Sequence, residues 1–335
     1  GINGGASPQD LETMFQLLYL QFTAPRRDEE AFGAFRSRME AMLQNQQASP
    51  NFWFSKKFNE VMSQGHVRGR MLTPELRAAI DLARALALWR ERLADASDFW
   101  FVLVGSFDLE TIRPMVEQWM AALPSTDRDE SWRDVGPVPP DGVHRFEVRR
   151  GIEPKASVRL VFTGEATWNR IERYAMSSMT RALAIRLREV LREDLGGVYG
   201  VGVSGSISRW PRERYSTYVS FGCDPDRVEE LIAAARAEIE VFRTEGPPPE
   251  VVDKVRESQI RGRETSLEQN GWWAGTLQSQ YINGLDPLDI LRFDELLDRL
   301  TPELLRDAAV RYFDPDRRVQ GVLLPEATEG AAEEP

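Results

Sequence analysis

The chain has 335 residues, of which 42% are apolar and 28% charged, the ordinary composition of a globular protein with a large core. Its net charge of −11 argues against a nucleic-acid-binding surface, which would be basic. The single cysteine, Cys223, excludes an internal disulfide, and no segment reaches the roughly 18 apolar residues of a membrane span. The opening GINGGASPQD lacks the apolar core of a signal peptide, so we expect any targeting signal to be absent or upstream, with cytoplasm and periplasm both open.

The part of the chain before residue 124 is predicted to be mainly helical. Ser7 and Thr73 are candidate N-cap residues, and a proline follows each of them, as is common at helix starts. A continuous apolar run at 99–104 predicts a buried strand. The predicted helices of this part cover 10–23, 28–46, 51–63, 73–93 and 108–123.

The segment 125–143 is polar and contains three prolines, which predicts a linker between two domains. Beyond it, the hydrophobic pattern alternates between helical and strand periods. The predicted strands are 144–148, 157–163, 199–207, 215–221 and 319–323, and the predicted helices are 169–195, 226–243, 248–266, 271–281 and 301–312. The acidic segment 326–335 is predicted to be a disordered tail.

Four short sequence matches recur in the same order on both sides of the linker, with an offset that drifts only slowly. Matches in register over this length indicate one structural module used twice. The matches pair Asp10-Leu11-Glu12 with Asp226 to Glu229, Pro25 with Pro247 to Pro249, Asn51-Phe52-Trp53 with Asn270-Gly271-Trp272, and Leu72 to Leu76 with Leu300 to Leu304.

This repeat predicts an α+β fold of two homologous modules, 1–124 and 144–325, each an antiparallel-dominated sheet packed with helices. The second module has predicted strands and a helix before its long helix at Asp226, whereas almost nothing precedes Asp10 in the first. We therefore expect the first module to be truncated at its N-terminus, by roughly 70 residues on the scale of the repeat. Absent strands would leave unpaired sheet edges.

One stretch brings together two side chains of chemical interest. Residues 185–208 predict a helix, a stop at Gly196-Gly197 and then a strand. Arg192 lies in the last helical turns and Tyr199 at the start of the strand, so the glycine turn can direct both side chains into one space. Spacing alone favours the simpler interpretation, a surface arginine and a half-buried tyrosine.

The other candidate motifs favour structural roles. Gly200, Gly202 and Gly205 spell G-x-G-x-x-G, but they follow a helix and lie in strand-like sequence, whereas a dinucleotide site needs the motif between a strand and a helix. His66 and His144 are far apart and no H-x-x-E-H is present, so we expect neither a metal ligand nor a catalytic residue in this chain. Cys223 precedes a helix, yet no histidine is near in sequence, which favours a structural cysteine.

The segment LREDLGGVYGVGVS resembles the arginine–tyrosine segment in the C-terminal half of the pitrilysin/insulinase family of zinc metallopeptidases, and the chain resembles the long bacterial members from about Asp10 to Pro325. The resemblance implies that Arg192 and Tyr199 bind substrate and face a zinc site in the other half. It further implies that zinc and the general base belong to the missing N-terminal half, on the same polypeptide or a separate subunit.

On that resemblance the chain is expected to be the substrate-binding half of a zinc metalloendopeptidase that acts on peptides or small proteins in an enclosed chamber. By itself it should be inactive and bind no catalytic metal. Some relatives keep the fold without catalysis, so the alternative is a noncatalytic partner subunit or a structural core protein of the same fold.

Overall fold

The computed structural model describes residues 1–326, so most of the predicted acidic tail lies outside the described residues. None of the described helices is both long enough and apolar enough to cross a membrane. The helices are α1 (Leu11–Thr23), α2 (Glu29–Gln47), α3 (Pro50–Met62), α4 (Pro74–Ala78), α5 (Leu82–Arg92), α6 (Leu109–Met115), α7 (Arg170–Arg188), α8 (Val228–Thr244), α9 (Pro249–Leu267), α10 (Asn270–Ile282), α11 (Asp294–Leu297) and α12 (Pro302–Tyr312).

Five strands form one mixed sheet in the order β1-β5-β2-β4-β3. The β1–β5 pair is parallel and the other three pairs are antiparallel. The α+β class is therefore confirmed, with a sheet in which antiparallel pairs predominate. The strands are β1 (Val143–Arg149), β2 (Ala156–Glu165), β3 (Val198–Ser208), β4 (Arg214–Cys223) and β5 (Arg318–Leu324).

The described residues before 143 contain no strand, so the sheet expected in the first module is not seen there. The predicted strand at 99–104 is wrong, because no neighbouring chain in the described residues pairs with this segment. Its side chains are not uniformly buried either, because Trp100 is 61% exposed and stacks on Tyr281 at a ring distance of 5.0 Å. An apolar run becomes a strand only when a partner satisfies its backbone N–H and C=O groups.

The helix predicted at 73–93 is also divided, into α4 and α5. Thr73 caps α4 by accepting a hydrogen bond from the Leu76 N–H, as its sequence position predicted. Asp81 then accepts a hydrogen bond from the Arg84 N–H at 2.6 Å and caps α5. A side-chain cap of this kind competes with continuation of the preceding helix, which explains the break.

One face of the sheet carries the main hydrophobic core. Helices α7, α8 and α12 pack on this face, against the alternate residues of β2 and β4 that point to it. The opposite face is partly covered by α3, whose Phe54 and Phe58 pack on Val161, Val319 and Leu323. The rest of that face, on β2, β4 and β3, carries mostly small or polar residues. We call it the open face, and its members are Ser157, Arg159, Gly200, Gly202, Ser220 and Gly222.

The chain divides into two compact units. The first contains 1–43, 72–132 and 264–291, and its core includes Phe22, Leu93 and Leu123. The second contains 44–71, 133–263 and the chain from 292 onward, including the whole sheet. Helix α3 thus belongs to the second unit and α10 to the first, so the units interleave in sequence. The domain boundaries drawn from the repeat stay a prediction.

Candidate functional site

The candidate site begins where α7 ends. A π-helical turn, Glu189–Asp194, continues α7 and carries Arg192. The chain then reverses at Gly196, whose φ of 58° lies in the left-handed region that glycine adopts without steric cost. The Gly197 N–H donates to the Leu191 carbonyl at 3.0 Å and closes the turn. The predicted helix stop is therefore confirmed, with the physical reason expected from the sequence.

Helix α8 fixes the position of this turn. Arg227 donates from Nη1 to the Leu195 carbonyl at 3.2 Å. At Gly197 a β-carbon would lie only 2.5 Å from the Leu231 side chain, so a larger residue there would force Leu231 of α8 to shift. The two glycines thus serve different purposes: Gly196 supplies the backbone conformation, and Gly197 supplies the close approach.

Tyr199 lies in a β-bulge at the start of β3. Val198 pairs with Cys223 and Gly200 pairs with Gly222, so Tyr199 is the extra residue between two ladder positions. A bulge re-aims a side chain that regular pairing would place elsewhere. The Tyr199 side chain is 70% exposed, and a β-carbon at Gly222 would lie 3.8 Å from its ring, which places the tyrosine on the open face.

Arg192 is exposed and, among the described residues, has no hydrogen bond or ion pair. The nearby carboxylate of Glu189 is engaged elsewhere, with Arg186 at 2.8 Å and Lys254 at 3.5 Å. Tyr199 likewise has no hydrogen-bond partner within the described part of the chain. A structural arginine would be paired and a structural tyrosine would have its hydroxyl satisfied in the core, so neither side chain shows a structural role.

A cavity of about 330 Å³ lies on the open face beside α3. Arg159 of β2 enters it, and its guanidinium stacks on Phe58 at 5.0 Å and Phe54 at 5.2 Å. Desolvation lowers the pKa of Arg159 below its usual range, as expected for a cation that is half buried. The sequence interpretation missed this residue, although a single cation within the apolar run of β2 is the signal that would have found it.

The glycine motif of β3 and the single cysteine have structural roles, as the sequence indicated. Gly200, Gly202 and Gly205 all lie inside β3, which excludes a dinucleotide-binding turn. At Gly205 a β-carbon would lie 2.5 Å from Met176 Sδ, so packing of β3 against α7 explains that glycine. Cys223 is fully buried, and burial together with Asp224 raises its thiol pKa to about 11. It is a structural cysteine.

The residues present do not fit a zinc site. His66 accepts a hydrogen bond from the Arg68 N–H, and His144 Nε2 lies 2.8 Å from the Asp141 carbonyl, so each ring is used locally. Within residues 1–326, no three histidine, cysteine, aspartate or glutamate side chains come close enough together to hold a metal ion.

Fold and site together define an α+β domain that presents an unpaired arginine and tyrosine beside a sheet, without metal ligands of its own. The family model described as the peptidase M16 inactive domain matches residues 83–259, more than half of the chain. The chain belongs to this family. The resemblance to pitrilysin-type zinc metallopeptidases is thereby confirmed, and the matching domain is the inactive one.

Several known proteases are similar to the chain. The probable zinc protease PqqL of Haemophilus influenzae is 23% identical over 235 residues, covering 69% of this chain and 24% of the relative. The crystal structure of the periplasmic protease PqqL from Escherichia coli superposes with a TM-score of 0.83 at 21% identity, over 96% of this chain and 36% of that one.

The ferredoxin protease FusC, solved in complex with Arabidopsis ferredoxin, superposes with a TM-score of 0.77 at 20% identity, over 96% of this chain and 35% of FusC. At these identities the likeness concerns the fold. The chain spans about a quarter of the curated relative that it matches and about a third of each of these two solved proteases.

Proposed function

We propose that this chain is the substrate-binding half of a zinc-dependent endopeptidase that hydrolyses peptides or small proteins in an enclosed chamber. Zinc and the general base belong to a catalytic half, on the same polypeptide or on a separate subunit. When bound there, zinc would activate the attacking water. Arg192 and Tyr199 hold the peptide and donate hydrogen bonds to a carbonyl oxygen that gains negative charge. The chain alone cleaves nothing.

The observation that carries this proposal is the condition of Arg192 and Tyr199. Both side chains are exposed and lack partners among the described residues, although ionic neighbours are close at hand. The turn between them depends on two glycines and on α8, and a bulge sets the direction of Tyr199. Such a rigid support for two unsatisfied donors is what a substrate-positioning site requires.

The comparisons support a division of the enzyme into a catalytic half and a noncatalytic, substrate-binding half. The matched family domain is the inactive one. One relative is a probable zinc protease, and the chain spans only about a third of two solved proteases. The described residues contain no group of three candidate zinc ligands, which supports a metal held by a different part of the enzyme. The complex of FusC with ferredoxin supports a small protein as a substrate class.

The duplication into two modules is part of the proposal, and local structure supports it. A single 3₁₀ turn that begins with proline leads directly into α1, and the same arrangement leads into α8. Thr73 caps α4 and Thr301 caps α12 with the same side-chain bond to the N–H three residues on.

The decisive experiment reconstitutes the chain with an M16 catalytic half that carries H-x-x-E-H and follows cleavage of a quenched fluorescent peptide. Tyr199→Phe and Arg192→Ala should each lower turnover by about 100-fold or more, because each removes a donor to the developing oxyanion. Zinc content and melting temperature should not change. Matched controls are Arg188→Ala, an exposed arginine one turn earlier, and Tyr281→Phe, a partly exposed tyrosine elsewhere.

The alternative, a noncatalytic partner subunit or structural core protein of the same fold, gives a different result. The reconstituted complex would then assemble without cleaving the peptide, or it would cleave equally well with Tyr199→Phe and Arg192→Ala. Either outcome would mean that the chain resembles the zinc peptidases in fold but not in function. The first preparatory step is to read the coding sequence upstream of Gly1 and in the neighbouring frame for H-x-x-E-H.

A further inference from the structure

The open face of the sheet has two cross-strand rows that run from β5 to β3. In one row Arg159 of β2 pairs with Gly321 on β5 and with Ser220 on β4, and Ser220 pairs with Gly202 on β3. In the adjacent row Ser157 pairs with Gly222, beside Tyr199. Standard strand spacings place Arg159 and Tyr199 roughly 12 Å apart on this face.

The Arg159 row is shaped by α3. A β-carbon at Gly321 would lie 3.0 Å from both Phe54 and Phe58 and 2.6 Å from Phe146, so only glycine lets the aromatic side chains sit over this strand. These rings occupy one side of the Arg159 guanidinium. The aromatic contact orients the cation without neutralising its charge.

No carboxylate lies within ion-pair distance of Arg159 among the described residues. Arg186 differs in this respect, because its guanidinium is paired with Glu238 and Glu189. A half-buried guanidinium without a counter-ion has up to five unused donors. Leaving such a group unpaired has a cost in free energy, and a bound anion would recover it.

The other polar groups around the cavity are donors as well. Asn51, Ser157 and Ser220 line it, and their side chains make no hydrogen bond to another described residue. Asn51 also lies in the first turn of α3, where the helix dipole favours negative charge. Gly200, Gly202 and Gly222 leave the floor of the cavity open enough for a peptide backbone to approach.

We propose that this cavity is a carboxylate-binding subsite for an extended peptide, with Arg159 as its anchor and Ser157, Ser220 and Asn51 as neutral partners. The carboxylate is an acidic side chain or the C-terminal carboxylate of the peptide. A single cation balances a single negative charge, which favours a carboxylate over a phosphate dianion. The proposal rests on the proposed function, since it places this subsite on the substrate-binding face beside Tyr199.

The test measures binding of short capped alanine peptides to the full chain, by titration followed in the ¹H–¹⁵N spectrum. One peptide carries a central Glu with an amidated C-terminus, a second carries Gln in its place, and a third is all alanine with a free C-terminal carboxylate. The first and third peptides distinguish the two sources of carboxylate. The second peptide controls for contacts of the backbone.

At least one carboxylate peptide should bind about 10-fold or more tightly than the Gln peptide. Added salt should weaken the binding of that peptide by about 10-fold, because the contact depends on charge. Arg159→Gln should abolish this preference, whereas Arg159→Lys should retain part of it. Arg149→Gln is the matched control, since it removes one positive charge from the same sheet at a residue already paired with Glu147 at 2.7 Å.

The proposal fails if the carboxylate peptides bind no better than the Gln peptide, or if Arg159→Gln keeps the full preference in a folded protein. Because this assay needs neither zinc nor a catalytic half, it is independent of the cleavage assay. A preference that depends on Arg159, together with normal cleavage by the Arg192 and Tyr199 variants, would overturn the proposed function alone. If instead the Arg192 and Tyr199 variants lose cleavage but the carboxylate preference does not depend on Arg159, only the proposed subsite is overturned.

Discussion

Trp53 and Trp273 make the same hydrogen bond in two different helices. The Trp53 indole Nε1 donates to the carbonyl of Gln47, the last residue of α2, at 2.9 Å. The Trp273 indole Nε1 donates to the carbonyl of Leu267, the last residue of α9, at 2.8 Å. In both places the bond spans six residues and joins the fourth residue of the next helix to a helix C-terminus that has unpaired carbonyls.

The hydrogen bonds pair Trp53 with Trp273, one residue beyond Trp272, its match in the sequence repeat. This equivalence predicts equal energetic consequences. Trp53→Phe and Trp273→Phe should each destabilise the protein by about 1 kcal/mol, because each removes one hydrogen bond and keeps an aromatic ring. The free energy of unfolding in urea measures this. Trp100→Phe is the control, since the Trp100 indole is largely exposed and its ring stacking on Tyr281 survives the change. A large effect at only one of the two tryptophans would weaken the duplication hypothesis.

The turn before Tyr199 gives a second prediction. Gly196→Ala should cost about 1 to 2 kcal/mol of stability, because φ at this position is 58° and an L-residue is strained there. Gly200→Ala should be near neutral, since no atom lies within 4 Å of the β-carbon it would add. Chemical denaturation of the two variants makes the comparison. Equal losses would mean that the conformation of the turn is not set at Gly196.

The buried thiol gives a third prediction. Native Cys223 should not react with a disulfide reagent such as DTNB at pH 8, because the side chain is buried and its pKa is raised to about 11. Unfolding in guanidinium should release one reactive thiol per chain, in keeping with the cysteine count. Rapid modification of the folded protein would show that β4 opens at its C-terminal end.

The fourth prediction concerns pH and the first unit. Asp95 is fully buried and accepts hydrogen bonds from Ser97, Thr126 and the Arg128 N–H, which hold the pKa of its carboxyl well below the usual range. A carboxyl with a depressed folded pKa stabilises the protein above its unfolded pKa, near 3.9, and this contribution is lost progressively as the pH falls below that value.

Asp95→Asn should therefore destabilise the protein at pH 7, and its deficit relative to the wild type should shrink as the pH falls below about 4. Urea unfolding across that pH range measures the difference. Asp129→Asn removes the same charge from an exposed position in the neighbouring loop and should have little effect at any pH. A deficit for Asp95→Asn that does not change with pH would assign its effect to packing alone.

Local signals in the sequence determined most of the elements and the turn at the candidate site. Thr73 caps a helix as its position predicted, although Ser7, the other N-cap candidate, makes no such bond. Gly196 reverses the chain where the helical pattern stops. These features depend on interactions within a few residues, so the order of amino acids is sufficient to specify them. The α+β class followed from the same local patterns.

Tertiary structure decided the strand pairing, the direction of Tyr199 and the environment of Arg159, because these features depend on which distant segments become neighbours. The apolar run at 99–104 matches a strand locally but lacks a partner in the described chain. The bulge that directs Tyr199 exists only in the register between β3 and β4. Arg159 looks like any strand cation until α3 brings Phe54 and Phe58 against it and leaves its charge without a counter-ion. Pairing, register and desolvation are properties of contacts that the linear sequence does not contain.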